Sequence, residues 1–245
     1  MITTNRRTLL KSAARAFGPK EAVARARCIL AEAEIALVSR DLATPAKALG
    51  TARATLERHG DRLNAAHARH LEGRRLLLIG QLDEAEGALA AVDPATLPPA
   101  LRTAHELAVA GIAIRRVRTE EARTALARAE RAAHDAGIPA LTAEVESAAR
   151  VLEAPAARLV GGNEERLLKL NDVETLLASG TLVIDACRYA LRDGQRTVSL
   201  ATRPVLFALL RALGEAWPGD VPRDALVRCA FRGKEADESH RARLR

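Results

Sequence analysis

Apolar and polar residues follow a helical period over the first two-thirds of the chain. From about Arg6 to Glu153, Ala and Leu recur at three- and four-residue steps among charged residues, as in amphipathic helices. Short breaks interrupt this pattern at Gly18-Pro19, Thr44-Pro45, His59-Gly60, Pro94 to Pro99 and Gly137 to Pro139. Residues 1–153 are therefore predicted to form a domain of antiparallel helix pairs, because alanine-rich helices can approach one another closely.

A repeat of 37 residues runs through this domain. Ala48, Ala85 and Ala122 are spaced by that period, and two further sets follow in register: Ala52, Leu89, Leu126 and Thr55, Val92, Ala129. Each set is expected on the second helix of a pair. Residues 73–92 resemble a tetratricopeptide repeat, since Gly73 and Leu76 match small and large positions of its first helix. The motif's aromatic positions are unfilled and its usual period is 34, so the resemblance is to a degenerate, tetratricopeptide-like array.

The resemblance implies that successive helix pairs stack and leave a concave surface open to a partner. The array could then serve as a protein-binding groove, as a self-association surface that makes a homodimer, or as a ligand-sensing domain. An inert spacer fits as well. Residues 154–170, which include Gly161-Gly162, are predicted to be a linker.

The pattern changes after residue 170. A short helix is expected from Asp172, and LVIDACRYAL alternates imperfectly, as a half-buried strand does. Asp193-Gly194 predicts a hairpin turn, after which Val198 and Leu200 are expected to face the core. Thr202 would then cap a helix with the apolar stripe Val205, Leu206, Leu209, Leu210 and Leu213. Trp217-Pro218-Gly219 ends that helix, and Pro222 opens a second one with Leu226, Val227 and Ala230 inward.

This order of elements, followed by Phe231-Arg232-Gly233 and an arginine-rich end, resembles the winged-helix DNA-binding domain of OmpR-like response regulators. The resemblance implies a mainly α protein with a small α+β winged-helix domain at residues 171–245. It also implies that the recognition helix begins near Asp237 and carries Ser239, His240, Arg241, Arg243 and Arg245 toward double-stranded DNA. Arg203 and Arg223, near helix starts, are candidate phosphate contacts. The alternative for all of these residues is a solvated charged face.

The sequence departs from that family in two ways. In that family the recognition helix continues for further turns and a β-hairpin wing follows it, whereas this sequence stops at Arg245. Either the sequence is a fragment of a longer protein, which is what we expect, or the domain is incomplete and its DNA binding is impaired. No receiver domain precedes it; the helical array takes that place, so phosphorylation control is not implied.

Composition and charge change the picture in two respects. Residues 1–60 carry 11 Lys and Arg against 5 Asp and Glu, residues 61–180 carry 15 against 18, and residues 181–245 carry 12 against 8. The two basic ends of the chain could contact a polyanion. An arginine- and alanine-rich composition is, however, also what a gene of high GC content encodes. Cys28, Cys187 and Cys229 are isolated, which fits reduced thiols in a cytoplasmic protein with no membrane span.

No residues form a catalytic or cofactor motif. The sequence contains no nucleophile elbow, Walker motif or dinucleotide fingerprint, so we expect no enzyme activity and no cofactor. His67 and His70, three residues apart, would make a poor metal pair beside Arg69, Arg74 and Arg75 and are expected to be surface or groove histidines. The sequence therefore predicts a transcriptional regulator with an interaction domain; the alternative is an adapter that binds only proteins.

Overall fold

A computed structural model describes residues 2–42, 46–161, 164–194 and 196–231. The chain divides into two compact units, the helical unit (Met1–Arg150) and the C-terminal unit (Val151–Arg245). The fold is mainly helical with a small β region toward the C-terminal side.

The described part of the helical unit consists of α-helices joined by short turns. Its last helix continues a few residues into the C-terminal unit. These helices are α1 (Ile2–Ala16), α2 (Ala22–Val38), α3 (Ala46–Arg58), α4 (Arg62–Ile79), α5 (Leu82–Ala90), α6 (Pro99–Arg115), α7 (Thr119–Ala136) and α8 (Pro139–Glu153). Four of the five predicted breaks fall between helices, and the fifth, Thr44-Pro45, lies outside the described residues.

Three helical hairpins, α2–α3, α4–α5 and α6–α7, follow one another along the chain. In each, a residue with a left-handed backbone follows the first helix within two residues of its end: Arg40 (φ 56°), Gly80 (φ 83°) and Val117 (φ 58°). The next N–H then donates back to a carbonyl in the last turn, as from Gln81 to Leu76 at 3.0 Å, which satisfies an otherwise unpaired helix-end group. Glycine adopts this conformation without strain, whereas arginine and valine do not.

The 37-residue repeat falls on the second helices α3, α5 and α7, as predicted. Ala85 and Ala122 are fully buried, as are Ala52, Leu89, Leu126 and Ala129. Val92 is buried just beyond the end of α5, and Ala48 and Thr55 are half-buried. The repeat thus marks residues that each second helix buries.

The first helices α2, α4 and α6 form a row, because α4 packs both on α2 and on α6. Gly73 on α4 is buried against Leu89 and the Ala85 carbonyl of α5. The core at the α2 end is made of Ala and Leu; its members are Ala26, Leu30, Ala33, Leu37, Leu49, Ala52, Leu56, Ala65, Ala68 and Leu71. Small side chains therefore set a close spacing between helices.

The C-terminal unit begins earlier than a linker at 154–170 would allow. Residues of that segment form the antiparallel hairpin of β1 (Ala157–Gly161) and β2 (Glu164–Leu168), with Ala157 opposite Leu168. Residues 157–161 and 164–168, which the sequence analysis placed in a linker, are thus paired strands. Their pairing gives backbone partners to a stretch that has little apolar pattern of its own. Leu168, buried in β2, anchors the hairpin to the rest of the unit.

A helix and a three-stranded sheet follow the hairpin. The elements are α9 (Leu170–Ala178), β3 (Leu182–Asp185), β4 (Ala190–Asp193), β5 (Arg196–Ser199), α10 (Pro204–Ala216) and α11 (Arg223–Phe231). The sheet is antiparallel in the order β3-β4-β5. Asp193 and Gly194 begin the turn between β4 and β5, as predicted.

The single strand predicted from LVIDACRYAL is two strands with a tight turn between them. Asp185 Oδ1 accepts the backbone N–H groups of Cys187 and Arg188, at 3.1 and 3.0 Å. Tyr189 has a left-handed backbone (φ 50°), and β4 then pairs back on β3. An aspartate that binds backbone two and three residues ahead makes a turn rather than an extended run.

Candidate nucleic-acid interface

Helix α10 is held on the sheet by two contacts. Phe207 is buried and packs on Tyr189, with ring centroids 4.9 Å apart and planes inclined by 57°. About two turns later, a β-carbon added to Gly214 would overlap Ile184 Cδ1 of β3. These two contacts fix the rotation of α10 about its axis.

The predicted apolar face of α10 is wrong in part. Leu206 and Leu213 were expected inward but are exposed, while Phe207 is the buried residue of this helix. Leu and Val occupy nearly every side of α10, so the period alone cannot choose a face. Val198 is likewise exposed rather than inward; Leu200 is buried because it lies beyond β5, where its N–H donates to the Tyr189 carbonyl at 2.7 Å.

Helix α11 packs on α10 through small and branched residues. Val227 and Ala230 are buried and Leu226 is half-buried, as the sequence predicts. The Pro222 carbonyl accepts the N–H of Ala225 at 2.9 Å and of Leu226 at 3.1 Å. The helix therefore begins next to Pro222, where that residue's fixed φ suits the first turn.

Both described residues of the predicted DNA contact lie at helix starts. Arg203 immediately precedes α10, and Arg223 is the first residue of α11; both are exposed. Arg203 ties the helix start to the sheet, since its N–H donates to the Leu200 carbonyl at 2.8 Å and its carbonyl accepts from Phe207. The remaining predicted contacts, Ser239, His240, Arg241, Arg243 and Arg245, lie outside the described residues.

Two helix starts with an arginine at each could hold anions. The first N–H groups of a helix have no partner inside the helix and point toward a ligand, and the helix dipole favours negative charge there. A guanidinium at the same point adds donors that match phosphate oxygens. Such an arrangement can grip a phosphate backbone without reading bases.

Further arginines in the C-terminal unit were not among the predicted contacts. Arg196 on β5 and Arg228 on α11 are exposed. Arg188 and Arg192 approach Asp185 Oδ2, at 3.9 and 3.8 Å. The contacts predicted from the sequence lie only at helix starts and at the arginine-rich end. The excess of basic over acidic residues in 181–245 is the sequence signal for these further arginines.

An exposed apolar stripe lies along α10 and the residue that follows it. Leu206, Leu213 and Trp217 are spaced by seven and four residues, and Trp217, just after the helix, is 73% exposed. Spacings of seven and four place the three on one side of a helix. Soluble surfaces with clustered large apolar side chains commonly serve as interaction sites.

The helical unit contains a second polar feature, which the sequence reading missed. His70 and His105 are 3% and 4% exposed, not surface or groove residues. Their burial comes from packing between α4 and α6, which are distant in sequence. Within the described ranges, no group of three or more His, Cys, Asp or Glu side chains could hold a metal ion.

Across the described ranges of the chain, every helix is too short or too polar to cross a bilayer. Comparison with protein-family models, with curated proteins and with solved structures finds no match to this chain.

Proposed function

We propose that the protein is a DNA-binding transcriptional regulator in which a tetratricopeptide-like array is joined to a winged-helix-like module. The observation that carries the proposal is the C-terminal unit: a three-stranded antiparallel sheet leads directly into two packed helices that begin beside Arg203 and Arg223. In the proposed mode these two side chains and the adjacent helix N–H groups hold phosphates, and the basic segment 237–245 enters the major groove.

The array has a separate role in this proposal. Its hairpins bring the first helices α2, α4 and α6 together in a row. In the proposed mode the array binds a partner protein or a second copy of the chain. A homodimer would place two C-terminal units on neighbouring half-sites. Sedimentation equilibrium of the 245-residue chain tests this step, and a monomer at every concentration would contradict dimerisation.

Fluorescence anisotropy of a labelled random-sequence duplex, titrated with the 245-residue chain across a salt series, tests DNA binding. We expect log affinity to fall linearly with log salt, by about 0.9 for each phosphate neutralised. Replacing both Arg203 and Arg223 by Ala should reduce that slope by about 1.8, because two phosphate contacts are lost.

The matched control is the double variant Arg131→Ala, Arg150→Ala. Both residues are exposed on α7 and α8, and the change in net charge is the same. The control should leave the slope within 0.3 of the parent, as an order-of-magnitude allowance for long-range charge. Binding that ignores salt, or an equal loss in the control, would contradict the proposal.

The second candidate function is an adapter that binds only proteins through the C-terminal unit. The exposed stripe Leu206, Leu213 and Trp217 favours it, since such residues are enriched in protein interfaces. In that case the duplex titration shows no binding by the parent chain at low salt.

A further inference from the structure

Three imidazole rings lie in a row inside the helical unit. His67 and His70 on α4 have ring centroids 6.4 Å apart, and His70 is also 6.4 Å from His105 on α6. Among the described residues, neither His70 Nδ1 nor His105 Nδ1 has a hydrogen-bond partner, although both atoms are buried. Buried polar atoms without partners are rare and costly, so the pair calls for an explanation.

The row lies where two hairpins meet. His70 belongs to the α4–α5 hairpin and His105 to the α6–α7 hairpin, and these hairpins are held together by packing of α6 on α4 and on α5. Leu77, Ala85, Leu89, Ala108 and Ile112 form a buried apolar cluster of α4, α5 and α6. His70 and His105 lie on the same pair of helices, α4 and α6, and their rings face each other across it.

The charged groups around His67 and His70 would do little to stabilise a positive charge on the buried His70 ring. Glu34 of α2 reaches His67 Nε2 at 4.0 Å, at the outer end of the row. Arg74, one turn after His70 on α4, adds positive charge near it. From α3, Glu57 pairs with Arg69 instead.

On the α5 and α6 side, the nearby carboxylates already have cationic partners. Glu106, 3% exposed and next to His105, pairs with Arg128 of α7 at 2.9 Å. Glu86 of α5 pairs with Arg116 and Arg118. A proton added to His70 or His105 would thus enter a dry site whose negative charges are engaged.

Burial is the main cause of a low histidine pKa throughout the row. The pKa of His70 is lowered to about 3, chiefly by burial and then by His67, Arg74 and His105. Burial also lowers the pKa of His105, against a raising effect of Glu106, and that of His67, against Glu34. A neutral imidazole is the form that this interface accepts.

We propose that the contact between α4 and α6 is an acid-sensitive joint, which opens and separates the α6–α7 hairpin from the α4–α5 hairpin when its buried histidines gain protons. Once open, His70 and His105 are solvated and titrate near the ordinary value of about 6.5. The open form then binds protons that the closed form excludes, so the closed form is fully stable above about pH 6.5 and loses stability as the pH falls below it. For each such histidine the opening constant rises about tenfold per pH unit.

Hydrogen exchange followed by mass spectrometry on the full chain from pH 7.5 to 4.5, corrected for the intrinsic pH dependence, tests the joint. Opening constants for amides of α4 and α6 should rise at least about tenfold per pH unit below pH 6.5. Amides of α10 and α11 should not follow, because the described part of the C-terminal unit contains no histidine.

The variant His70→Leu removes one titrating group and puts an apolar side chain of similar volume in its place. The opening constants of the α4 and α6 amides should then rise less steeply as the pH falls, by about tenfold less per pH unit than in the parent chain. His134→Leu is the matched control, since His134 is exposed on α7, and it should retain the parent dependence.

His105→Leu is the second variant and should act as His70→Leu does, so that poor folding of either one leaves the other to decide. Exchange that does not depend on pH after correction would overturn the proposal. An equal rise of the opening constant in all helices of the chain would also overturn it. So would an unchanged pH dependence of the α4 and α6 opening constants in both variants. None of these outcomes bears on DNA binding, so the joint stands or falls separately from the proposed function.

Discussion

At the scale of single residues, the absence of a side chain decides how closely α4 and α5 approach. A β-carbon added to Gly73 would lie 2.7 Å from Leu89 Cδ2 and 2.8 Å from Leu89 Cγ. Leu89 is itself fully buried, so it has little room to move aside. The same small-residue logic applies to Ala85 and Ala122, which are fully buried on the second helices.

Gly73→Ala should therefore destabilise the helical unit. The gain in helix propensity, about 1 kcal/mol, is outweighed by overpacking that costs about 1–3 kcal/mol. Gly87→Ala on α5 is the control, because nothing lies within 4 Å of its added β-carbon; it should stabilise by about 0.5–1 kcal/mol. Equilibrium urea unfolding measures both, and a shift of the same sign in the two variants would refute the packing argument.

Asp61 joins two hairpins with one carboxylate. It accepts from Arg27 of α2 at 2.7 Å, and from the side-chain and backbone N–H groups of Asn64 at the start of α4. Burial raises the pKa of Asp61, but the hydrogen bonds from Arg27 and Asn64 outweigh that effect and leave it below the ordinary value. Its contribution to stability is therefore present above about pH 3.8 and is lost only as the pH falls through the lowered pKa.

Asp61→Ala should cost about 1–2 kcal/mol at pH 7, the usual loss when a helix cap is removed. Asp83→Ala offers the contrast: Asp83 pairs with Arg116 but is 90% exposed, so its loss should cost no more than about 0.5 kcal/mol. Urea unfolding of the two variants at pH 7 makes the comparison. Equal losses would mean that Asp61 acts only as a surface ion pair.

At the scale of elements, contact between α10 and β3 depends on Gly214. Its added β-carbon would overlap Ile184 Cδ1, an atom that valine lacks. Ile184→Val alone should cost about 0.5–1.5 kcal/mol, and Gly214→Ala alone about 1–3 kcal/mol.

The double variant Gly214→Ala, Ile184→Val should be less destabilised than the sum of the single variants, because the shorter side chain makes room for the new methyl group. Hydrogen-exchange protection of the α10 amides measures the coupling. Strict additivity would show that α10 does not approach β3 as closely as described.

The sequence predicts elements well where their limits are local. Glycine and proline mark helix ends such as Gly60, Gly137 and Pro99, since these residues set their own backbone geometry. The strand break at Asp185 was missed because an aspartate at that position also fits an alternating strand; only its bonds to Cys187 and Arg188 make it a turn.

Which face an element buries was predicted less well. The orientation of α10 depends on Tyr189 and Ile184, and the burial of His70 depends on α6, more than 30 residues later in the chain. Neither contact leaves a mark in the local pattern. For the candidate site, Arg203 and Arg223 were predicted at helix starts and lie there, but whether they contact DNA stays a prediction.

At the scale of the whole molecule, the helical unit encloses its own core. Its buried clusters are drawn from α2 to α8. The last cluster contains Ala129 and Ala133 of α7 and Val145 of α8, with Leu107 and Leu141 packed against it. Helix α8 thus covers the end of the array before the C-terminal unit begins.

A fragment of residues 1–153 should therefore fold alone and unfold in urea within about 1 kcal/mol of the same unit in the full chain. A fragment of residues 1–136 lacks α8, and with it Leu141 and Val145 of this cluster. It should be less stable by about 3 kcal/mol, the loss expected for two large apolar side chains. If 1–153 were unfolded, the helical unit would not be an independent folding unit.

Trp217 and Tyr189 are the only tryptophan and the only tyrosine of the chain, and both belong to the C-terminal unit. The indole of Trp217 is largely in water and lies at the end of the exposed stripe on α10, so its emission will shift when anything covers that side of the helix. Far-ultraviolet circular dichroism follows chiefly the helical unit, which holds most of the helical residues. One unlabelled sample therefore yields two optical signals, one for each half of the protein.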